Sequence, residues 1–340
     1  MEIQSELVNH NATPSAFGWD FQFNAAIIIM LENIKDAKEI RIEGKNEDIE
    51  VFLKNEVMVY AQAKSCTNPE DTTNALRDLK KALKTLSEVP NAEKSRALIF
   101  VTNRIDPFKE PSTIRKFAGG YSLVPYKELT EKCLNRIEKI CKQNDLAFSK
   151  DNFFVLTFDF SGDGENRYRI VKLKIAEFLE SLDGPFLGLT QKTLEKWQFL
   201  FGRNASQNDM NIRVSKEYMI WPIIVWLCER DTNSFLQKYD EATSNEIAST
   251  YNKIIASTSE RFDFINKVMY EYTKYAKANS GKRQDEVTEN FISEKSILFH
   301  EDFDLSELDE EIAIAVIQLT VDKVIRERFN IKKIKEKVNL

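Results

Sequence analysis

The chain has 340 residues, so at ~150 residues per domain the length points to about two domains. A composition of 42% hydrophobic and 30% charged residues is globular and excludes wholesale disorder or a collagen-like fibre, while 10 glycines and 8 prolines favour long helices over a many-stranded sandwich. A net charge of −6 gives no nucleic-acid argument for the chain as a whole, and 2 histidines leave too few ligands for a usual zinc site or paired imidazole catalysts.

Phe17, Phe21, Ala25, Ile28 and Leu31 recur at helical spacing and predict a helix over 17–34. Three strand signals follow: 38–43 with Ile40 and Ile42, 48–53 with Ile49, Val51 and Leu53 on one face, and 57–64 with Val57, Val59, Ala61 and Ala63 on one face. A helix over 73–88 has Leu76, Leu79, Leu83 and Leu86 as its stripe. Strands at 97–102 and 153–160 flank a helical stretch at 126–143, and the turn Ser161-Gly162-Asp163-Gly164 closes the series. This αβββαβαβ order implies an α/β domain with a mixed sheet. Beyond the punctuation Asp183-Gly184-Pro185 the pattern turns helical at 191–201, 215–230, 234–257, 259–278 and 308–338. The expected organisation is therefore an α/β domain over 1–185 and an all-α helical domain over 186–340, with a regulatory or assembly role.

Asp48 and Glu50 alternate onto one face of their strand, and Gln62 and Lys64 onto one face of theirs, both opposite the aliphatic side. If the two strands pair antiparallel through the loop Lys54-Asn55-Glu56, Asp48 falls opposite Gln62. A carboxylate, an amide oxygen and an ammonium group then lie together at the open end of the hairpin. Such a set can hold Mg²⁺, which prefers hard oxygen ligands, beside a lysine that offsets charge on a phosphate. Arg77, Lys80, Lys81 and Lys84 form a ridge on the next helix that could grip phosphates, or be a solvated face. Lys332, Lys333, Lys335 and Lys337 read as a solvated, frayed tail, and His10 and His300 as isolated surface residues. No Walker A motif or GxGxxG occurs.

Gly18-Trp19-Asp20-Phe21-Gln22, Glu43-Gly44, Glu47-Asp48-Ile49 and Gln62-Ala63-Lys64-Ser65, in that order, resemble the PD-(D/E)xK nuclease fold in its Gln-x-Lys form, as in Mrr-like restriction endonucleases. They are similar also to the effector domains of bacterial anti-phage systems of the CBASS and Lamassu type. The resemblance covers about residues 15–180 and implies a restriction-endonuclease-like mixed sheet and an Mg²⁺-dependent DNA endonuclease, with Mn²⁺ as a possible substitute. It implies that Asp48 and Gln62 bind the metal, that Lys64 orients the attacking water or offsets charge on the phosphate, and that Gln22 contacts the backbone or a metal-bound water. Glu43 would stand behind them. Glu47 and Glu50 compete with Asp48 for the acidic role. Activation through oligomerisation or a partner chain, an SMC-like ATPase by the Lamassu resemblance, is the further implication. A non-catalytic scaffold or adaptor with a degenerate nuclease fold is the rival reading.

Cys66, Cys133, Cys141 and Cys228 form no CxxC pair and no dense framework, which fits a reducing cytoplasm. The most apolar runs, 25–31, 218–228 and 312–321, are well short of ~18 residues, so no membrane span is expected.

Overall fold

The computed structural model describes residues 13–147, 149–229, 233–257, 262–303 and 305–340; His10 lies outside them. Two compact units emerge, one made of the residues up to Phe178 together with Thr190–Lys216, the other of Leu179–Leu189 and Glu217–Leu340. Among the described residues no helix is long and apolar enough to cross a membrane.

The first unit is built on a seven-stranded mixed sheet. Helix α1 (Thr13–Glu32) precedes the strands β1 (Ala37–Ile42), β2 (Ile49–Leu53) and β3 (Met58–Lys64), which form an antiparallel meander. Helix α2 (Ala75–Glu88) crosses to β4 (Ala97–Thr102), which runs parallel to β3. Then come a short helix α3 (Ile114–Phe117), β5 (Tyr121–Pro125), α4 (Glu131–Asn144), β6 (Phe153–Phe158) and α5 (Arg169–Ser181). Helix α6 (Thr190–Ala205) and the two-residue β7 (Val214–Ser215) complete the sheet order β5-β6-β4-β3-β2-β1-β7.

Packing follows from the alternation. Every residue of β4 is buried, as expected of a central strand with parallel neighbours. Tyr60, Leu98, Phe100, Phe153 and Val155 face the α2–α4 side, against Leu79, Leu83, Leu86, Cys133 and Ile137. The opposite face takes α1, in which Ala25–Met30 are all buried because the helix lies between the sheet and α6. The hairpin has the predicted register, pairing Ile49 with Ala61, Glu50 with Tyr60, Val51 with Val59 and Phe52 with Met58. Asn55 and Glu56 take left-handed backbone conformations in its loop (φ 62° and 61°).

Three features depart from the sequence reading. Helix α6 belongs with the sheet unit and not with the helical half, since Arg41 on β1, 1% exposed, donates to the backbone carbonyls of Asn204 at 2.6 Å and Gln207 at 2.9 Å and so fastens it there. The edge strand β5 adds a pairing with β6 that the alternation did not reveal. The basic C-terminus is no frayed tail: α12 (Glu310–Val338) buries Ile331, Ile334 and Val338 and ends on Asn339 in a left-handed cap (φ 59°).

The second unit is helical. Ahead of α12 come α7 (Lys216–Cys228, its first residue in the sheet unit), α8 (Asn233–Leu236), α9 (Glu241–Ser257), α10 (Phe262–Ala278) and α11 (Gln284–Lys295). Helix α12 packs on α9, α10 and α11, and α7 continues through Pro222. Buried Lys323 on α12 donates to the carbonyl of Cys228 at 2.8 Å and so caps the end of α7.

Candidate functional site

The site lies where β3 ends, beside the acidic bend that leads into β2. Alternation along β3 sends Met58, Tyr60, Gln62 and Lys64 to the α2 side. Met58 and Tyr60 are covered by the helix, while Lys64 at the strand end is about a quarter exposed.

Continuing the register by one pair sets Asp48 opposite Gln62, and the side chains agree with that placement. Asp48 Oδ2 accepts a hydrogen bond from the Ala63 amide at 2.9 Å and faces Lys64 Nζ at 3.6 Å. Gln22, buried on α1, donates from Nε2 to Glu43 Oε1 at 2.8 Å and to the Asp48 carbonyl at 2.9 Å. Its amide therefore holds the bend from behind, and Glu43 is its partner. Thr85 on α2 donates to Gln62 Oε1 at 2.9 Å, which fixes the amide.

Asp48 and Glu50 differ in where their side chains go. Glu50 folds back over the bend, and its Oε1 accepts from the backbone amide of Asn46 at 2.7 Å, from Asn46 Nδ2 at 3.0 Å and from the Glu47 amide at 3.3 Å. It is a loop clamp. Gly44 makes room for that clamp, because a Cβ there would stand 2.7 Å from Glu50 Cγ.

Glu47 is the residue whose environment the sequence did not reveal. It is 5% exposed, and its Oε1 has no hydrogen-bond partner among the described residues. Burial pushes its carboxyl up to about 8; the Asp48 charge adds to the shift, and the Thr85 hydroxyl and Lys64 oppose it. Thr85 likewise escaped the sequence reading, since it reaches Gln62 across 23 positions and no local pattern marks it.

Arg77, Lys80, Lys81 and Lys84 are exposed on α2, the helix that also carries Thr85 into the site. A crevice of about 310 Å³ opens at the carboxyl ends of β4 and β6, lined by Asn68, Asn103, Thr157, Asp159 and Arg169 among others. The turn at 161–164 is a turn only, with Gly162 and Gly164 at positive φ and Arg167 bonded to the Gly162 carbonyl. All four cysteines are free thiols.

No family model matches the chain, and no curated protein does. Solved structures do. One is the Cap4 SAVED/CARF-domain containing receptor of Moraxella osloensis, at 14% identity and a TM-score of 0.35, covering 61% of this chain and 47% of that one. Two others are the Cap4 SAVED/CARF-domain containing receptor of Acinetobacter baumannii, one with the cyclic trinucleotide 3'3'3'-cAAA and one with 2'3'3'-cAAA. Both stand at 14% identity and a TM-score of 0.37, covering 61% and 62% of this chain and 45% of those. The chain thus spans less than half the length of these structures.

The comparison corrects two expectations drawn from the motif resemblance. The chain is not assigned to the PD-(D/E)xK effectors of anti-phage systems, and its function is not assigned as the DNA endonuclease of such a complex, because the structures it resembles are described as receptors. The physical reason is that a Gln-x-Lys strand beside an acidic strand fixes the geometry of one hairpin, whereas a family and its function are properties of more than one hairpin. At these TM-scores no ligand or activity passes from the receptors to this chain.

Proposed function

We propose that the open end of the β2–β3 hairpin is a divalent-cation site that hydrolyses a phosphodiester bond, with the α2 ridge holding the phosphates of the same substrate. The observation that carries this reading is the Asp48 carboxylate, about a quarter exposed, which accepts from the Ala63 amide and faces Lys64 Nζ at 3.6 Å. A carboxylate held by a backbone amide beside an ammonium group and an oriented amide oxygen is a phosphate-handling set.

The donors fit a hard cation. Asp48 and Gln62 supply oxygens, and no group of three or more His, Cys, Asp and Glu side chains gathers among the described residues. Magnesium keeps several waters and needs few protein ligands, and manganese favours the same oxygens. When bound, the cation would polarise a phosphoryl oxygen. Lys64 places its ammonium where negative charge builds on the phosphoryl group. Gln62 is held by Thr85, and Gln22 with Glu43 fixes the backbone of Asp48, so these residues act by positioning. The exposed Arg77, Lys80, Lys81 and Lys84 engage neighbouring phosphates, each adding to the salt dependence of binding.

Retention of a nucleotide without hydrolysis is the second reading, favoured by the polar crevice at the same end of the sheet, which has room for a nucleoside. One assay separates the two. The full chain is incubated with Mg²⁺ or Mn²⁺ and, in separate arms, duplex DNA, single strands and cyclic oligonucleotides, and products are resolved. Cation-dependent products that fall ~10²-fold or more in Asp48→Asn support hydrolysis. Binding without products in every arm supports retention and overturns the proposal.

A further inference from the structure

The arrangement of charge at the bend leaves one group unexplained. Glu47 is buried to 5% exposure beside Asp48, Lys64 and Thr85, and its Oε1 has no hydrogen-bond partner among the described residues. A buried carboxylate with an unsatisfied oxygen costs free energy unless something neutralises it. Lys64 and Thr85 act on the Glu47 carboxyl, but Lys64 Nζ faces Asp48 at 3.6 Å and Glu50 has already taken the amides of the bend, so Oε1 itself stays without a partner among the described residues. What the described surroundings leave open is the Oε1 atom itself, a hard oxygen donor that a divalent cation could take as a ligand.

We propose that Glu47 is a ligand of the divalent cation together with Asp48 and Gln62, with Thr85 as the positioning residue that ties the carboxylate and the amide together. This rests on the cation reading above and adds a residue to it. Thr85 already donates to Gln62 Oε1 at 2.9 Å, and its hydroxyl lies beside Glu47. Two carboxylates and an amide oxygen from the bend and β3 make a compact all-oxygen set, suited to Mg²⁺ or Mn²⁺ and poorly suited to zinc. Glu50 is excluded from this set because its Oε1 accepts three N–H groups of the loop.

The test reads cation binding and not activity. Mn²⁺ is titrated into the full chain, and the free ion is followed by electron paramagnetic resonance for wild type, Glu47→Gln and Asp48→Asn. Glu47→Gln keeps shape and burial, and it should weaken Mn²⁺ binding about tenfold or more. Without cation its melting temperature should be equal to or above that of wild type, since a buried group that costs free energy to ionise is replaced by a neutral amide of the same shape. Ca²⁺ should raise the melting temperature of wild type and fail to raise that of Glu47→Gln. If Glu47→Gln binds Mn²⁺ as wild type does while Asp48→Asn loses it, Glu47 is not a ligand and the cation reading stands without it. If wild type itself takes up no Mn²⁺, both fall together. Should Glu47→Gln fail to fold, Mn²⁺ broadening of wild-type nuclear magnetic resonance signals decides the matter: loss of the Thr85 methyl and Ala63 amide signals first supports the assignment, and loss elsewhere with these two intact overturns it.

Discussion

Lys64 stands about a quarter exposed, 3.6 Å from an equally exposed Asp48, so as an ion pair it contributes no more than ~1 kcal/mol to stability. Lys64→Ala should therefore abolish phosphodiester turnover while shifting the melting temperature by only a few degrees, and a thermal melt beside an activity assay checks both halves. Gly44 behaves in the opposite way. A Cβ there would stand 2.7 Å from Glu50 Cγ, so Gly44→Ala should destabilise by ~1–3 kcal/mol in urea unfolding, through overpacking and loss of the loop clamp. Cys66 offers a test of local burial. Its thiol bonds the Asn68 carbonyl at 3.1 Å, and burial pushes its pKa up to about 11. The thiolate is the reactive form, so iodoacetamide at pH 8 should label folded Cys66 roughly 100-fold more slowly than the same thiol in the denatured chain. Equal rates would contradict the burial.

At the scale of elements, the hairpin was legible because its two strands alternate cleanly and a loop with Asn55 in a left-handed position admits one register. The meander and α2 were legible for the same reason, since periods of 2 and 3.6 carry through several residues, and β4 as a short unbroken run of mostly apolar residues. Strand β5 was not, because Tyr121–Pro125 is a short edge strand with only one fully buried residue, Val124. Nor was the allegiance of α6. Asp183-Gly184-Pro185 is a strong local break, but which unit the following helix joins is decided by Arg41 reaching carbonyls 163 and 166 positions away. Within the site, Asp48, Gln62 and Lys64 could be brought together from alternation alone, whereas Glu47 and Thr85 depend on burial and on a helix-to-strand approach. Helix α6 gives a direct test. Trp197 is fully buried with its ring 5.9 Å from that of Phe178, so Trp197→Ala should cost ~3–5 kcal/mol in equilibrium unfolding. Trp226 is half-buried and should cost less.

For the whole molecule the division into units sets where the chain can be ended. A chain stopped after Leu182 lacks α6 and β7, which exposes the outer side of α1 and leaves Arg41 without the carbonyls it bonds. One stopped after Lys216 keeps them, so it should unfold cooperatively while the shorter chain should not; circular dichroism melts of the two decide this. The acidic balance of the full chain, −6, gives the molecule at large no general attraction for phosphates, so the proposed grip rests on the exposed α2 ridge alone. On the proposed reading this sheet end performs cation-dependent phosphodiester chemistry. Hydrolysis of bis(p-nitrophenyl) phosphate by the full chain, followed with Mn²⁺ and with chelator, tests it most directly: the account predicts turnover by wild type that disappears with chelator and in Asp48→Asn. Turnover that persists in Asp48→Asn, or no turnover by wild type at any Mn²⁺ concentration, would contradict it.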